Sequence, residues 1–132
     1  MSMPTSLSVQ IVTPNAVAWS GVASDVQAPG LLGEFGVFPR HIPFLTVLVP
    51  GVATVRTAEG VKRFVVGGGF AEAGPDRVVL LADSCEDLAT VDKAAAQKDL
   101  AAAEATLATA AYDSVERVLA EKKAALARAR LR

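Results

Sequence analysis

Proline and glycine are absent after Pro75: all ten glycines and all seven prolines of this 132-residue chain lie at or before that position. That shift separates a turn-rich body from a tail made of helix formers. Cysteine is nearly absent too. Cys85 stands alone, which excludes an internal disulfide framework and suits a reducing cytoplasm. His41 is the single histidine, and one His with one Cys cannot build a typical zinc site. No uninterrupted apolar run reaches the ~18 residues of a membrane-spanning helix, so no direct membrane insertion is expected. The opening "MSMPTSLSVQ" has neither a basic start nor an apolar core, so no secretory signal is expected. A net charge of −1 argues against nucleic acid as a partner.

What is present divides into two halves. In "LSVQIV", Leu7, Val9 and Ile11 share one face, with Ser8 and Gln10 on the other, which is the alternation of a half-buried strand. "AVAWSGVASDVQAP" reads as a further extended segment with Trp19 in the core. "FLTVLVPGVATVRTAEGVKRFVVGGGFAEAG" supplies more β-branched runs around a hairpin turn at Glu59–Gly60. "DRVVLLADS" follows the turn at Gly74–Pro75–Asp76. Many short strands between Gly/Pro turns point to a sandwich or flattened barrel, a rigid object because its faces lock at crystal-like density.

From Asp92 the composition is Ala, Leu, Glu, Lys and Arg, all good helix formers. "AAYD" (110–113) holds a break, and Asp113 with Glu116 resembles a capping-box start for a second helix. Two helices of about 18 residues, each ~27 Å long, joined this closely form an antiparallel hairpin. Leu100, Leu107, Val115, Val118, Leu119 and Leu126 are its main large aliphatic residues, so the tail is expected to be helical but loosely held. Charge is split as well. Residues 1–91 carry five Lys/Arg against eight Asp/Glu, whereas residues 112–132 carry six against three. An acidic body with a basic tail points either to a negative partner for the tail or to a solvated helix face.

Catalytic chemistry finds little support. His41 has no evident nucleophile partner, Cys85 ends a strand, and the carboxylates show no pairing. "GLLGEFG" lacks the Gly-Lys-Ser/Thr of a phosphate loop, and "GGGF" at Gly67–Phe70 fails the dinucleotide pattern. Tight turns and close chain approach account for both glycine groups.

"GEFGVFPRHIPFLTVLVPG", then "VVGGGFAEA", then "RVVLLAD" resembles the ε subunit of F-type ATP synthases. The positions that carry the resemblance are Gly33, Glu34, Gly36, Pro39, His41, Pro43, Leu45, Thr46, Pro50 and Gly51. Gly68, Gly69, Phe70, Glu72, Leu81, Ala82 and Asp83 extend it. The helical tail has the family's length and place. The resemblance implies a mainly β N-terminal domain, a ten-stranded sandwich of two five-stranded sheets (1–87), followed by a C-terminal α-helical hairpin (88–132).

The function so implied is that of a non-catalytic rotor part with no cofactor. Its partners are the γ subunit and the c-subunit ring, with Glu34, Phe38, Arg40 and His41 in the contacting loop region. The tail would extend along γ and meet the α and β subunits through Lys122, Lys123, Arg128 and Arg130, blocking ATP hydrolysis. Without a transit-like leader a bacterial subunit is expected, at the cytoplasmic face of the inner membrane. Some family members bind ATP at the hairpin through I/L-D-x-x-R-A. Here Asp92 is kept but Ala95 replaces the arginine, so binding through Asp92 and Arg128 is expected to be weak or absent. Arg40 stands where the family usually has glycine. Cutting the chain after Ser84 is expected to preserve assembly and raise ATPase activity. The competing reading is a free-standing β-sandwich ligand-binding module with the hairpin as a lid.

Overall fold

The alternation of "LSVQIV" is realised in the computed structural model, which describes residues 5–132. Strand β1 (Leu7–Val12) turns Leu7, Val9 and Ile11 fully inward. Residues 1–4, which open the stretch read for a leader, lie outside the described residues. "AVAWSGVASDVQAP" is not one segment. It splits at Ser24 into β2 (Val17–Ala23) and β3 (Asp25–Gly30), because β2 pairs with β1 while β3 pairs with a strand of the opposite layer. Ser24 marks the corner, its backbone N–H donating to the Arg56 carbonyl at 2.8 Å. The strands that follow are β4 (Gly33–Val37), β5 (Phe44–Thr57), β6 (Gly60–Ala73), β7 (Arg77–Ala82) and β8 (Cys85–Asp87). Two of these correct the sequence reading. Gly33–Val37 is a strand rather than part of a glycine loop. β8 lies beyond Ser84 and pairs with β6, so a cut after Ser84 would remove an edge strand.

The strands form one hydrogen-bonded network ordered β2-β1-β7-β6-β5-β3-β4, with β8 also on β6. It folds into two layers because β5 and β6, 14 residues each, serve both. Phe44–Leu48 pairs with Gly69–Ala73, and Pro50–Thr57 pairs with Gly60–Gly67. One layer is therefore β2, β1, β7 and the Gly69–Ala73 and Phe44–Leu48 segments; the other is β4, β3, the Pro50–Thr57 and Gly60–Gly67 segments, and β8. The ten-stranded sandwich is thus present as eight continuous elements.

The residues at the corner explain the fold-over. Leu48 faces inward before it, and Ala53 and Val55 after it, so the inward parity of β5 switches at Pro50–Gly51. In β6 it switches from Phe64 and Val66 to Ala71 and Ala73 across Gly67–Gly69. Gly69 has φ +124°, and a Cβ there would collide with the Leu81 carbonyl oxygen. The inward residues of both layers meet in one core, with Trp19, Phe35, Phe44 and Cys85 packed at its rim.

After a single 3-10 turn (Leu88–Thr90) come helices α1 (Lys93–Thr109) and α2 (Val115–Arg130). Asp92 caps α1, accepting from the Ala95 N–H at 3.1 Å. The cap of α2 is Ser114, accepting from the Arg117 N–H at 3.1 Å, and not Asp113. A serine hydroxyl one residue later meets the same need, leaving Glu116 in the first turn, where its charge complements the helix dipole. The hairpin packs through alanine: Ala96, Ala103, Ala120, Ala124, Ala127 and Ala129 are buried. Val115, Val118 and Leu119 are exposed. α2 is the helix that lies on the body, where Ala129 closes over Val52 and Val65 with Leu88, Val91 and Leu126 alongside. Val52 and Val65 are register partners facing outward from the second layer, so the hairpin covers that outer face.

Candidate functional site

The opposite outer face carries a row of apolar side chains, exposed at every position but the half-buried Val12. Val47 pairs with Phe70, Phe70 with Leu81, Leu81 with Val12, and Val12 with Val17. The row thus crosses all five strands of the first layer, roughly 19 Å at ordinary strand spacing. Val47, Phe70, Leu81 and Val17 are 40–55% exposed, and Leu45 beside them is 67% exposed. Scattered surface apolar residues need no explanation, but a contiguous row marks a contact surface. Sequence reasoning missed it, because β5 alternates apolar with apolar and the period alone does not say which set faces out. The signal was available in pairing, since only one set can face the core.

The loop 38–43 stands at one margin of this face and is pinned from both sides. The Arg40 N–H donates to the Pro75 carbonyl at 2.6 Å, tying the loop to the β6–β7 turn. Arg40 has φ +70°, so it holds a left-handed conformation that glycine adopts without strain. The His41 Nδ1–H donates to the Ile42 carbonyl at 2.7 Å, and its ring packs edge-on against Phe44 with centroids 4.9 Å apart. Phe44 meets Phe35 of β4 at 5.6 Å and 84°. Phe38, just past β4, lies over Gly36 and is 54% exposed.

Glu34 sits on the edge strand β4, outside the loop in which it was expected. It is exposed beside a shallow pocket lined by Leu32, Phe35, Phe44 and Thr46. Glu34 and His41 therefore both flank Phe44, while Phe38 and Arg40 lie between them in the chain, past the end of β4.

On the hairpin, Lys122, Lys123 and Arg128 are exposed and make no ion pair among the described residues. Arg130 differs: its Nε and Nη2 donate to Glu86 Oε1 at 2.9 and 2.6 Å. An open groove of about 580 Å³ runs between the helices, lined by Asp99, Thr106, Glu116, Lys123 and Arg130 among others. Its acids balance its bases, and neither Asp92 nor Arg128 lines it. Cys85 is half-buried, and burial, with the Glu86 and Asp87 carboxylates adding to it, pushes its thiol up to about 11. A thiol so protonated is a poor nucleophile. Among the described residues no three His, Cys, Asp or Glu side chains gather as metal ligands, and no helix is long and apolar enough to cross a membrane.

Comparison with known proteins places this geometry. Residues 6–88, the strands and little else, match the family model of the ATP synthase delta/epsilon chain, beta-sandwich domain. The ATP synthase epsilon chain of Moorella thermoacetica is 46% identical over 88 residues, 66% of each chain. That of Nitratidesulfovibrio vulgaris is 39% identical over 132 residues, covering 98% of both chains and so the helices as well. A chain in a cryo-EM structure of the Euglena gracilis mitochondrial ATP synthase with its c-ring shares the fold. Its TM-score is 0.84 at 20% identity, over 97% of this chain and 81% of that one. The sandwich, the hairpin and these matches together make the chain a member of the ATP synthase delta/epsilon family.

Proposed function

We propose that this chain is the central-stalk epsilon subunit of a bacterial F-type ATP synthase, non-catalytic in itself, which couples ion-driven rotation to ATP synthesis. In this reading the chain divides at 87/88, with the strands described from Leu7 onward as the rigid body and 88–132 as the regulatory arm. The observation that carries the reading is the uncovered apolar row Val47–Phe70–Leu81–Val12–Val17, on the face opposite the one the arm covers. A body that transmits torque needs a broad, shape-fixed seat, and this face offers one without disturbing the arm. We assign the row, with Phe38, Arg40 and His41 at its margin, to the γ subunit, and Glu34 on its exposed edge strand to the polar loops of the c-ring. Lys122, Lys123 and Arg128 face solvent and are available to acidic segments of the α and β subunits once the arm extends; in that state the arm inhibits ATP hydrolysis. The complex holds the chain peripherally at the cytoplasmic face of the inner membrane.

The lid reading fits less well. The seam between α2 and the sheet is filled by Ala129, Val52 and Val65, and the pocket where the sheet meets the base of the hairpin is lined mainly by polar and charged side chains such as Lys62, Arg63, Asp87, Lys93 and Arg132. ATP binding at the hairpin is weak or absent on this account, since Ala95 supplies no cation and the groove is charge-balanced. The test is co-purification from solubilised membranes with γ and the c-ring. A chain that elutes without either subunit contradicts the reading.

A further inference from the structure

Arg130 is the meeting point of three elements. Its guanidinium, only 24% exposed, donates from Nε and Nη2 to Glu86 of β8, and its Nη1 lies 3.6 Å from Asp99 Oδ2 of α1. The Lys93 Nζ at the start of α1 donates to the main-chain oxygens of Arg130 and Arg132, at 2.6 and 2.9 Å. So the end of α2 is gripped by side chain and backbone together. Ala129 beside it fills the apolar seam over Val52 and Val65. This convergence matters because of how the arm is mounted. α1 follows the body directly in sequence, yet its main packing partner is α2, and α2 alone packs substantially on β5 and β6. One seam holds both helices.

We propose that Glu86, Asp99 and Arg130 form a charge clasp that sets how often the arm leaves the body. The clasp also hides Arg130 in the folded state, so that this cation reaches an acidic partner only after release. Charge-assisted hydrogen bonds with little exposure are the strong kind, yet a carboxylate 38% exposed is still screened by salt. The clasp is therefore weak enough to open and sensitive to ionic strength. Leu126 and Ala129 re-seat it by burying apolar surface when it closes. The inference rests on the arm being a movable element of the epsilon subunit, but its test needs no other subunit.

The experiment is hydrogen exchange on the isolated full-length chain, comparing wild type with Glu86→Gln, Arg130→Gln and the exchanged pair Glu86→Arg/Arg130→Glu. Each single change should raise exchange in both helices by about tenfold or more, as expected for losing one charge-assisted bond, while the strands keep their protection. The exchanged pair should recover part of the loss. Unchanged helix exchange in both single variants overturns the proposal. So does equal loss of protection in strands and helices, which would make the contact a general structural tie. Failure to bind γ would instead strike the central-stalk reading and leave the clasp standing.

Discussion

Arg40 and Gly69 are single positions where the backbone decides what is tolerated. Gly69 combines φ +124° with a Cβ site blocked by the Leu81 carbonyl, so Gly69→Ala should cost about 2–4 kcal/mol and lower Tm visibly in a thermal melt. An unchanged melting curve would mean that the corner deforms freely. Arg40 at φ +70° is a milder case. Glycine there would remove left-handed strain but add unfolded-state freedom, each worth about 1 kcal/mol, so Arg40→Gly should shift Tm little, whereas Arg40→Val should lower it. Cys85 gives the pH test. With its thiol raised to about 11, the folded chain holds the proton that the unfolded chain releases earlier, so stability falls as pH rises from about 9 toward 11. For the same reason iodoacetamide should label Cys85 much more slowly at pH 8 than it labels the denatured chain. Equal rates would contradict the burial that causes the shift.

At the scale of elements, the sequence carried the strands and helices but not how they are shared between layers. "LSVQIV" announced its face through alternation, and the helices announced themselves by losing Gly and Pro. By contrast, β5 and β6 are legible as strands, but nothing in their period says that each folds across two layers. The parity switch at Pro50–Gly51 and Gly67–Gly69 does, once pairing is known. The helix seam is hard to read from sequence for a related reason. Counting large aliphatic residues says little about it, because the close approach depends on small ones, with Ala124 and Ala127 fully buried. Ala124→Glu should therefore separate the helices and reduce helical circular dichroism, while Leu119→Glu, at an exposed position, should not. Ser114→Ala tests the cap and should cost about 1 kcal/mol of hairpin stability in the same assay. Of the candidate site, the motif singles out Glu34 and His41 as proposed contacts, whereas their common neighbour Phe44 and the apolar row emerge only from packing and pairing.

On the scale of the whole molecule, the two outer faces differ. One is covered by an arm whose seam buries Val52 and Val65, about 3–6 kcal/mol at most if both became fully exposed. That range is small enough for the proposed release of the arm to a partner. Removing residues 92–132, and not cutting at Ser84, should leave β8 in place, preserve assembly and raise the ATPase rate of the complex. The other face is broad, and no element of this chain among the described residues covers Val47, Phe70 or Leu81. Placing a carboxylate in its middle should disturb the seat without touching the core, since Phe70 is 51% exposed. The most direct measurement is the affinity of the γ subunit for the full-length chain, for Phe70→Asp and for Arg130→Gln. If this face is the γ seat, Phe70→Asp should weaken binding at least about tenfold, as for an aromatic anchor at an interface centre, while Arg130→Gln should keep wild-type affinity. Undiminished binding by Phe70→Asp would contradict it.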